Sequence, residues 1–391
     1  MSLKKINYLD LFSGMGGFHK AAEKIKEKEM IFCGAADTEP SARKFYKQNY
    51  EKEPKEDIRW FKENELNKKI NMIFAGFPCQ PFSSAGNRKG FDHKKGNLFW
   101  ELMAIIKKYK PEMILLENVS NFKNHDNGNT WKTIKSELEK LYHIPEMPIQ
   151  YSPHKMGHPE LRKRVYIPGF LKSKYKKEIQ FDKYEKNLSN EKIKNLNTFK
   201  IKNNKQIPIN ELQKKSIQAW DQLLKKINYK MVKPAWGQTW NERDGNYLSK
   251  PYSEGQKIIQ KNKEFYFKNK KIIDQWKQKH NFEEWLPTYK KLEWNVSKTN
   301  YKSCLEGIIQ FRPSGIRVKE FTTLPTMVAL NQTPFIGPWN RFITPEEVAS
   351  IQGYGKNIKY KDIKTNKMFK MLGNNVNVHV TESIIKEMIN E

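Results

Sequence analysis

The sequence is poor in cysteine, in acidic side chains and in long apolar runs. Its three cysteines, Cys33, Cys79 and Cys304, stand far apart in 391 residues. That spacing excludes a disulfide framework and a cysteine-cluster zinc site, and no metal is expected. No apolar stretch approaches the roughly 18 residues needed to span a bilayer. Residues 6–12 already read as a strand, so no signal peptide is expected and the chain is read as cytoplasmic, with no membrane partner. Acidic residues number 43 against 72 lysines and arginines, a net charge of +29. Such an excess suits a polyanion, most simply nucleic acid, through phosphate neutralisation and counterion release. A composition rich in Lys, Asn and Ile would produce part of it without any partner.

What the chain does have is a set of short polar punctuations after apolar runs. The run Met72-Ile73-Phe74-Ala75 reads as a buried strand broken by Gly76, and Pro78-Cys79-Gln80-Pro81 follows. In open α/β sheets, chemistry sits outside the carboxyl ends of the strands. Two prolines restrict the backbone on both sides of Cys79, which suits a nucleophile; a small buried hydrophobe is the plainer alternative.

Similar punctuation recurs along the chain. The strand at 6–12 leads into Ser13-Gly14-Met15-Gly16-Gly17 and a helix, a turn that lets backbone approach a ligand closely. A second strand at 30–36 ends at Asp37, about 20 residues on, where nucleoside-binding sheets place a carboxylate. Asp57-Ile58 is a further acid at a plausible strand end; either acid could instead serve as a helix or turn cap, the reading favoured for Asp57 taken alone. Residues 83–97 form a long basic, glycine-punctuated loop, and Leu98 opens a helix that stops before Pro111. The next strand ends in Glu117-Asn118-Val119. Helix is expected at 131–142 and strand at 148–153. Arg162-Lys163-Arg164 would put both arginines on one strand face at period two.

From about 171 to 310 the texture turns to lysine and asparagine, yet Trp220, Trp236, Trp240, Trp276, Trp285 and Trp294 argue against disorder. A second domain with a small core and basic loops is expected, and globular texture returns from Thr322, with a helix opening at Thr344-Pro345. The expected division is 1–170, 171–340 and 341–391. The expected fold class is α/β, a doubly wound Rossmann-like sheet with a second, smaller domain.

Together these stretches resemble the cytosine-5 DNA methyltransferase family. The matching motifs are Asp10-Leu11-Phe12-Ser13-Gly14-Met15-Gly16-Gly17, Gly76-Phe77-Pro78-Cys79-Gln80-Pro81-Phe82-Ser83, Glu117-Asn118-Val119, Arg162-Lys163-Arg164 and Leu372-Gly373-Asn374-Asn375-Val376. The resemblance implies methyl transfer from S-adenosylmethionine to C5 of a flipped-out cytosine in a short duplex sequence. It implies that Cys79 attacks C6, Glu117 hydrogen-bonds the ring, and Arg164 with Arg162 holds the base carbonyl. It implies a cofactor site of Phe12, Met15, Gly16, Asp37, Asp57, Ile58, Pro78, Leu98, Asn374 and Val376. Gln80, Ser83 and Arg88 would meet the DNA, and residues 171–340 would read its sequence; Arg243, Arg312 and Arg317 are candidate readers.

The modification enzyme of a restriction system, a monomer acting beside a separately encoded endonuclease, is the implied setting. A tRNA cytosine methyltransferase and an inactive DNA-binding regulator are the alternatives. Three positions depart from the family pattern: Glu160 stands for the usual glutamine, Thr38 for a large apolar residue, and Ala85 for a serine.

Overall fold

The apolar runs become the interior of a parallel sheet. The computed structural model describes residues 5–78, 98–177, 179–186, 191–202, 207–240, 254–296, 300–327 and 332–391. Strands β1 (Lys5–Leu11), β2 (Glu29–Ala36), β3 (Met72–Gly76) and β4 (Met113–Val119) lie parallel. Met72 through Ala75 and Met113 through Leu116 are all buried, as strands covered on both faces must be. Three further strands, β5 (Tyr142–His143), β6 (Ile149–Tyr151) and β7 (Arg164–Leu171), complete the sheet, with β7 antiparallel to β4. The order is β2-β1-β3-β4-β7-β5, with β6 also on β7. The chain goes from β1 outward to β2, then returns past β1 to β3. That reversal opens a crevice at the carboxyl edge.

Helices α1 (Gly17–Glu23), α2 (Pro40–Tyr50), α3 (Arg59–Glu63) and α4 (Leu98–Tyr109) lie between the parallel strands in sequence. Phe99, Leu102, Ile105 and Ile106 of α4 join Ile73, Ala75, Ile114 and Leu116 in one core. Helix α5 (Asn129–Glu139) ends before the expected 142, because Tyr142 is claimed by β5. No strand forms at Asp57; the backbone makes a single bridge, Ala36 to Lys55, and turns into α3. A short α6 (Asp182–Lys186) follows β7.

The described chain divides into two compact units. The first comprises Met1–Phe199, Thr326–Leu330 and Pro345–Glu391, so it continues past residue 170, takes in a short stretch from Thr326, and has its last segment from Pro345.

The second unit carries α7 (Glu211–Lys226), α8 (Glu254–Lys268) and α9 (Lys270–Lys279). Its strands are β8 (Ala235–Trp236), β9 (Lys291–Asn295), β10 (Ile308–Arg312), β11 (Gly315–Lys319), β12 (Phe335–Ile336) and β13 (Arg341–Phe342). They form one sheet, β13-β12-β10-β11-β9-β8. Its core is larger than the small one expected. Trp220, Trp240, Trp276 and Trp294 are fully buried, and the Trp220 and Trp276 indoles donate to the carbonyls of Tyr289 (2.9 Å) and Ala219 (2.7 Å). Those bonds let large amphipathic rings be buried without stranding an N–H.

In the first unit the chain ends with α10 (Pro345–Ile351), α11 (Thr365–Asn374) and α12 (Val378–Ile389). Asn377 caps α12, its side-chain oxygen accepting from His379 N at 3.0 Å and Val380 N at 3.3 Å. A methyl group on Gly17 would lie 2.5 Å from Val376 Cγ2 and 2.7 Å from Asn375 Oδ1. Only glycine lets the start of α1 approach the α11–α12 junction this closely. Among the described residues, no helix is long and apolar enough to cross a membrane.

Candidate active site

The exit of β1 makes one wall of a cavity at the carboxyl edge. Phe12 takes φ +55°, uncommon for a bulky side chain, and the turn continues through Gly14 at +51° and Gly16 at +76°. A methyl on Gly14 would meet nothing within 4 Å, so open space lies beside this backbone. On Gly16 it would strike Tyr50 and Tyr46 at 2.6 and 2.8 Å, which ties the turn to α2.

Asp37, just past β2, accepts from Gly14 N through Oδ2 and from Glu39 N through Oδ1, both at 2.8 Å. Burial raises its carboxyl pKa, against those two donors. Arg43 braces the same turn by donating to Asp37 O at 2.9 Å.

The middle of the edge comes from β3 and β4. Gly76 registers with Glu117, and Asn118 Nδ2 donates to Phe77 O at 2.9 Å, pinning the two strand exits together. Arg164 registers with Val119 across the antiparallel pair, and its Nε lies 3.2 Å from Glu117 Oε1. Burial raises the Glu117 pKa, while Arg164 and then Arg162 oppose the rise. The carboxyl can therefore hold a proton at a higher pH than an ordinary glutamate, beside a cation able to stabilise its ionised form.

Arg162 does not share a strand face with Arg164, because β7 begins only at Arg164. The Arg162 side chain is buried, and its Nη2 donates to the carbonyls of Gly373 (3.0 Å) and Asn375. Desolvation, with Arg164 adding to it, pushes its pKa down to about 10. Its Nε and Nη1 are buried without partners. Arg162 thus holds the 373–375 segment and supports Glu117 electrostatically.

These elements enclose a cavity of about 430 Å³. Of the expected residues it brings together Phe12, Asp37, Pro78, Glu117, Arg164 and Asn374, with Gly14 and Gly76 between them. Met15, Gly16, Asp57, Ile58, Leu98, Val376 and Arg162 are not among its lining residues. Met15, Ile58 and Val376 are buried in the scaffold. Asp57 serves as a turn cap, accepting from Arg59 N at 2.8 Å and pairing with the Arg59 guanidinium at 2.6 Å. Cys79, Gln80, Ser83 and Arg88 lie outside the described residues, as do Ala85 and Arg243.

Two lysines of the cavity and the partners of Glu160 were not foreseen from the sequence. Lys367 and Lys370 of α11 line the cavity, each 3.8 Å from Glu39; their i,i+3 spacing just before Gly373-Asn374 was the available signal. Glu160 is fully buried and accepts from Gln352 Nε2 and Asn377 Nδ2, both at 2.8 Å. No local pattern announces that pairing. The cavity's donor set, a buried carboxyl, ammonium groups at one side and unfilled space beside Gly14, suits a zwitterionic nucleoside-like ligand.

A sheet that reverses at a glycine-turn crevice, with an acid after its second strand, is the arrangement in which doubly wound α/β folds seat nucleotide-like ligands. The profile of the C-5 cytosine-specific DNA methylase family matches residues 6–390, and the chain belongs to that family. It is 25% identical to the type II methyltransferase M.AluI of Cellulosimicrobium cellulans over 98% of this chain and 92% of that protein. It is 33% identical to M.HaeII of Haemophilus aegyptius over 64% of this chain and 73% of the relative. With M.HpaII of Haemophilus parainfluenzae identity is 40%, but the match spans only 44% of this chain and 47% of that protein. The fold resembles those of the Entamoeba histolytica methyltransferase EhMeth (TM-score 0.53, 20% identity, 99% of both chains) and S. pombe Dnmt2 (TM-score 0.55, 17% identity, 98% of both chains).

Proposed function

We propose that the protein methylates C5 of a cytosine flipped out of a short, specific duplex DNA sequence, as the modification enzyme of a restriction system. The observation that carries this is Glu117 facing Arg164 at 3.2 Å on the wall of the cavity that Asp37 and Gly14 also line. The methyl donor fitting that cavity is S-adenosylmethionine, which when bound supplies an electrophilic methyl group. Asp37 would accept from its ribose hydroxyls, and Phe12, Pro78 and Asn374 would enclose it.

The protein's own part is to make cytosine C5 nucleophilic. The Cys79 thiolate adds to C6, and electron density shifts through the ring to C5. Glu117, whose pKa burial raises against the pull of Arg164, hydrogen-bonds N3 and so stabilises that shift. Arg164 balances negative charge developing on the ring. After C5 is alkylated, its proton leaves and the S–C6 bond breaks, restoring the aromatic ring and the thiolate. Gln80, Ser83 and Arg88 would contact the DNA around the extruded base.

The enzyme would act as a cytoplasmic monomer beside a separately encoded endonuclease. Labelled methyl transfer from S-adenosylmethionine into duplex DNA, with tRNA as a competing acceptor, tests the reading. Incorporation into duplex DNA that Cys79→Ala abolishes is expected; incorporation into tRNA alone would overturn it.

A further inference from the structure

The second unit's sheet has one face committed to its core, while on the other face polar and basic side chains of β9, β10 and β11 gather beside the buried Ile308. Leu292, Trp294, Ile309, Ile316 and Val318 point into the tryptophan-rich interior. Period two therefore turns Glu293, Gln310, Arg312, Arg317 and Lys319 to the other face. The register places Glu293 and Gln310 directly beside Arg317 on its two neighbouring strands.

We propose that Arg317, aimed by Glu293, reads a guanine of the target sequence. This deepens the proposed function and rests on its premise that the substrate is duplex DNA. Glu293 Oε2 accepts from Arg317 Nε at 2.7 Å, while Oε1 accepts from Arg312 Nη2. The bond to Arg317 uses the inner nitrogen. Its terminal Nη1 and Nη2 have no partner among the described residues, and the side chain is 30% exposed. An arginine gripped at Nε keeps its outer nitrogens as a fixed fork, the donor pattern that matches guanine O6 and N7.

The neighbouring groups fit that use. Arg312 is more deeply placed, 10% exposed, with Nη2 already engaged and Nε buried without a partner, so it is the positioning member. Lys319 lies half-buried on the same face, its pKa lowered first by burial and then by Arg317 and Arg312. Two arginines and Lys319 set against the single carboxyl of Glu293 leave net positive charge, complementary to DNA. A phosphate contact needs no such aiming, since a mobile lysine serves it. Rigid preorientation is useful where a flat base edge must be told from its alternatives.

The test uses the full-length enzyme and duplexes in which each base pair of its own methylated site is varied in turn. Wild-type enzyme defines the site and the rates; if it methylated no duplex, the functional reading would fail and this inference with it. Arg317→Ala and Arg317→Lys are both expected to lose discrimination at one G·C pair. Their cognate rate should drop by about 5- to 150-fold, with rates on that pair's variants nearly level. Glu293→Gln should relax the same position partially, and S-adenosylmethionine affinity should not change. A uniform loss on all duplexes with a shallower salt dependence would mark a phosphate contact and overturn the proposal. So would unchanged discrimination in Arg317→Lys, the variant that keeps the charge.

Discussion

Glu160 and Asn377 lie 217 positions apart in sequence, yet Asn377 Nδ2 donates to Glu160 Oε2 at 2.8 Å in the interior. The other carboxyl oxygen accepts from Gln352 Nε2, which also reaches Leu372 O at 3.2 Å. The segment leading to Arg162 and Arg164 is thereby fastened to the ends of α10 and α11 and to the cap of α12. Arg162 makes the same connection from its own side through Gly373 and Asn375.

Glu160→Gln, the change toward the usual family residue, should destabilise this chain. It sets an amide N–H₂ against one of two amide donors. Asn377 cannot turn to accept, because its oxygen caps α12. One buried group left unsatisfied costs about 1–3 kcal/mol. A lower urea midpoint with unchanged slope is expected; an unchanged midpoint would refute the arrangement.

Asp37→Asn should weaken donor binding selectively. The substitution removes an accepting carboxyl oxygen that also orders the Gly14 turn. A roughly tenfold rise in the S-adenosylmethionine Kd is expected, about 1.4 kcal/mol. Calorimetry would read it, with DNA affinity in the absence of donor as the control that stays constant.

Glu117→Gln and Arg164→Ala should each lower the single-turnover methyl-transfer rate by about 10²- to 10⁴-fold. Arg164→Ala removes the larger of the two cationic influences opposing burial, so the Glu117 pKa should climb further. A rate within threefold of wild type for either variant would remove that residue from the chemistry.

A stacked histidine pair should make the first unit acid-labile. The His158 and His379 rings lie 3.6 Å apart and nearly parallel. Burial, with Lys194 adding to it, pushes His158 down to about 4; burial, then His158 and two lysines, pushes His379 down to about 2. A depressed histidine pKa means that the unfolded chain binds the proton first. Its contribution is complete above about pH 6.5 and is lost as pH falls from there. The wild-type Tm should fall by a few degrees from pH 7.5 to 5, and less in the His158→Phe/His379→Phe double variant. Equal falls in both proteins would contradict the assignment.

Much of the crevice was legible because its parts are local. Apolar runs ending in glycine or an acid announced β1, β3 and β4, and Asp37 and Glu117 sit at strand exits where such patterns put them. Arg162 was misread because period two was extended back across a residue that precedes the strand. Asp57 followed the same strand-end logic, yet its carboxyl found a nearer partner in Arg59. Glu160 was visible only as a departure from the family pattern. Its partners, Gln352 and Asn377, are 192 and 217 residues away, and no periodicity carries information over that distance. The size of the second unit's core was underestimated because its tryptophans are scattered among lysines; the indoles reach one another only after α7, α9 and the sheet assemble.

Cytosine methylation by this chain is tested most directly by base-resolution sequencing of 5-methylcytosine in DNA from a methylation-free host that expresses it. Methylation at one short recurring motif is expected, absent when Cys79→Ala is expressed at the same level. Soluble protein with no methylated motif, or a motif still methylated by Cys79→Ala, would contradict that expectation.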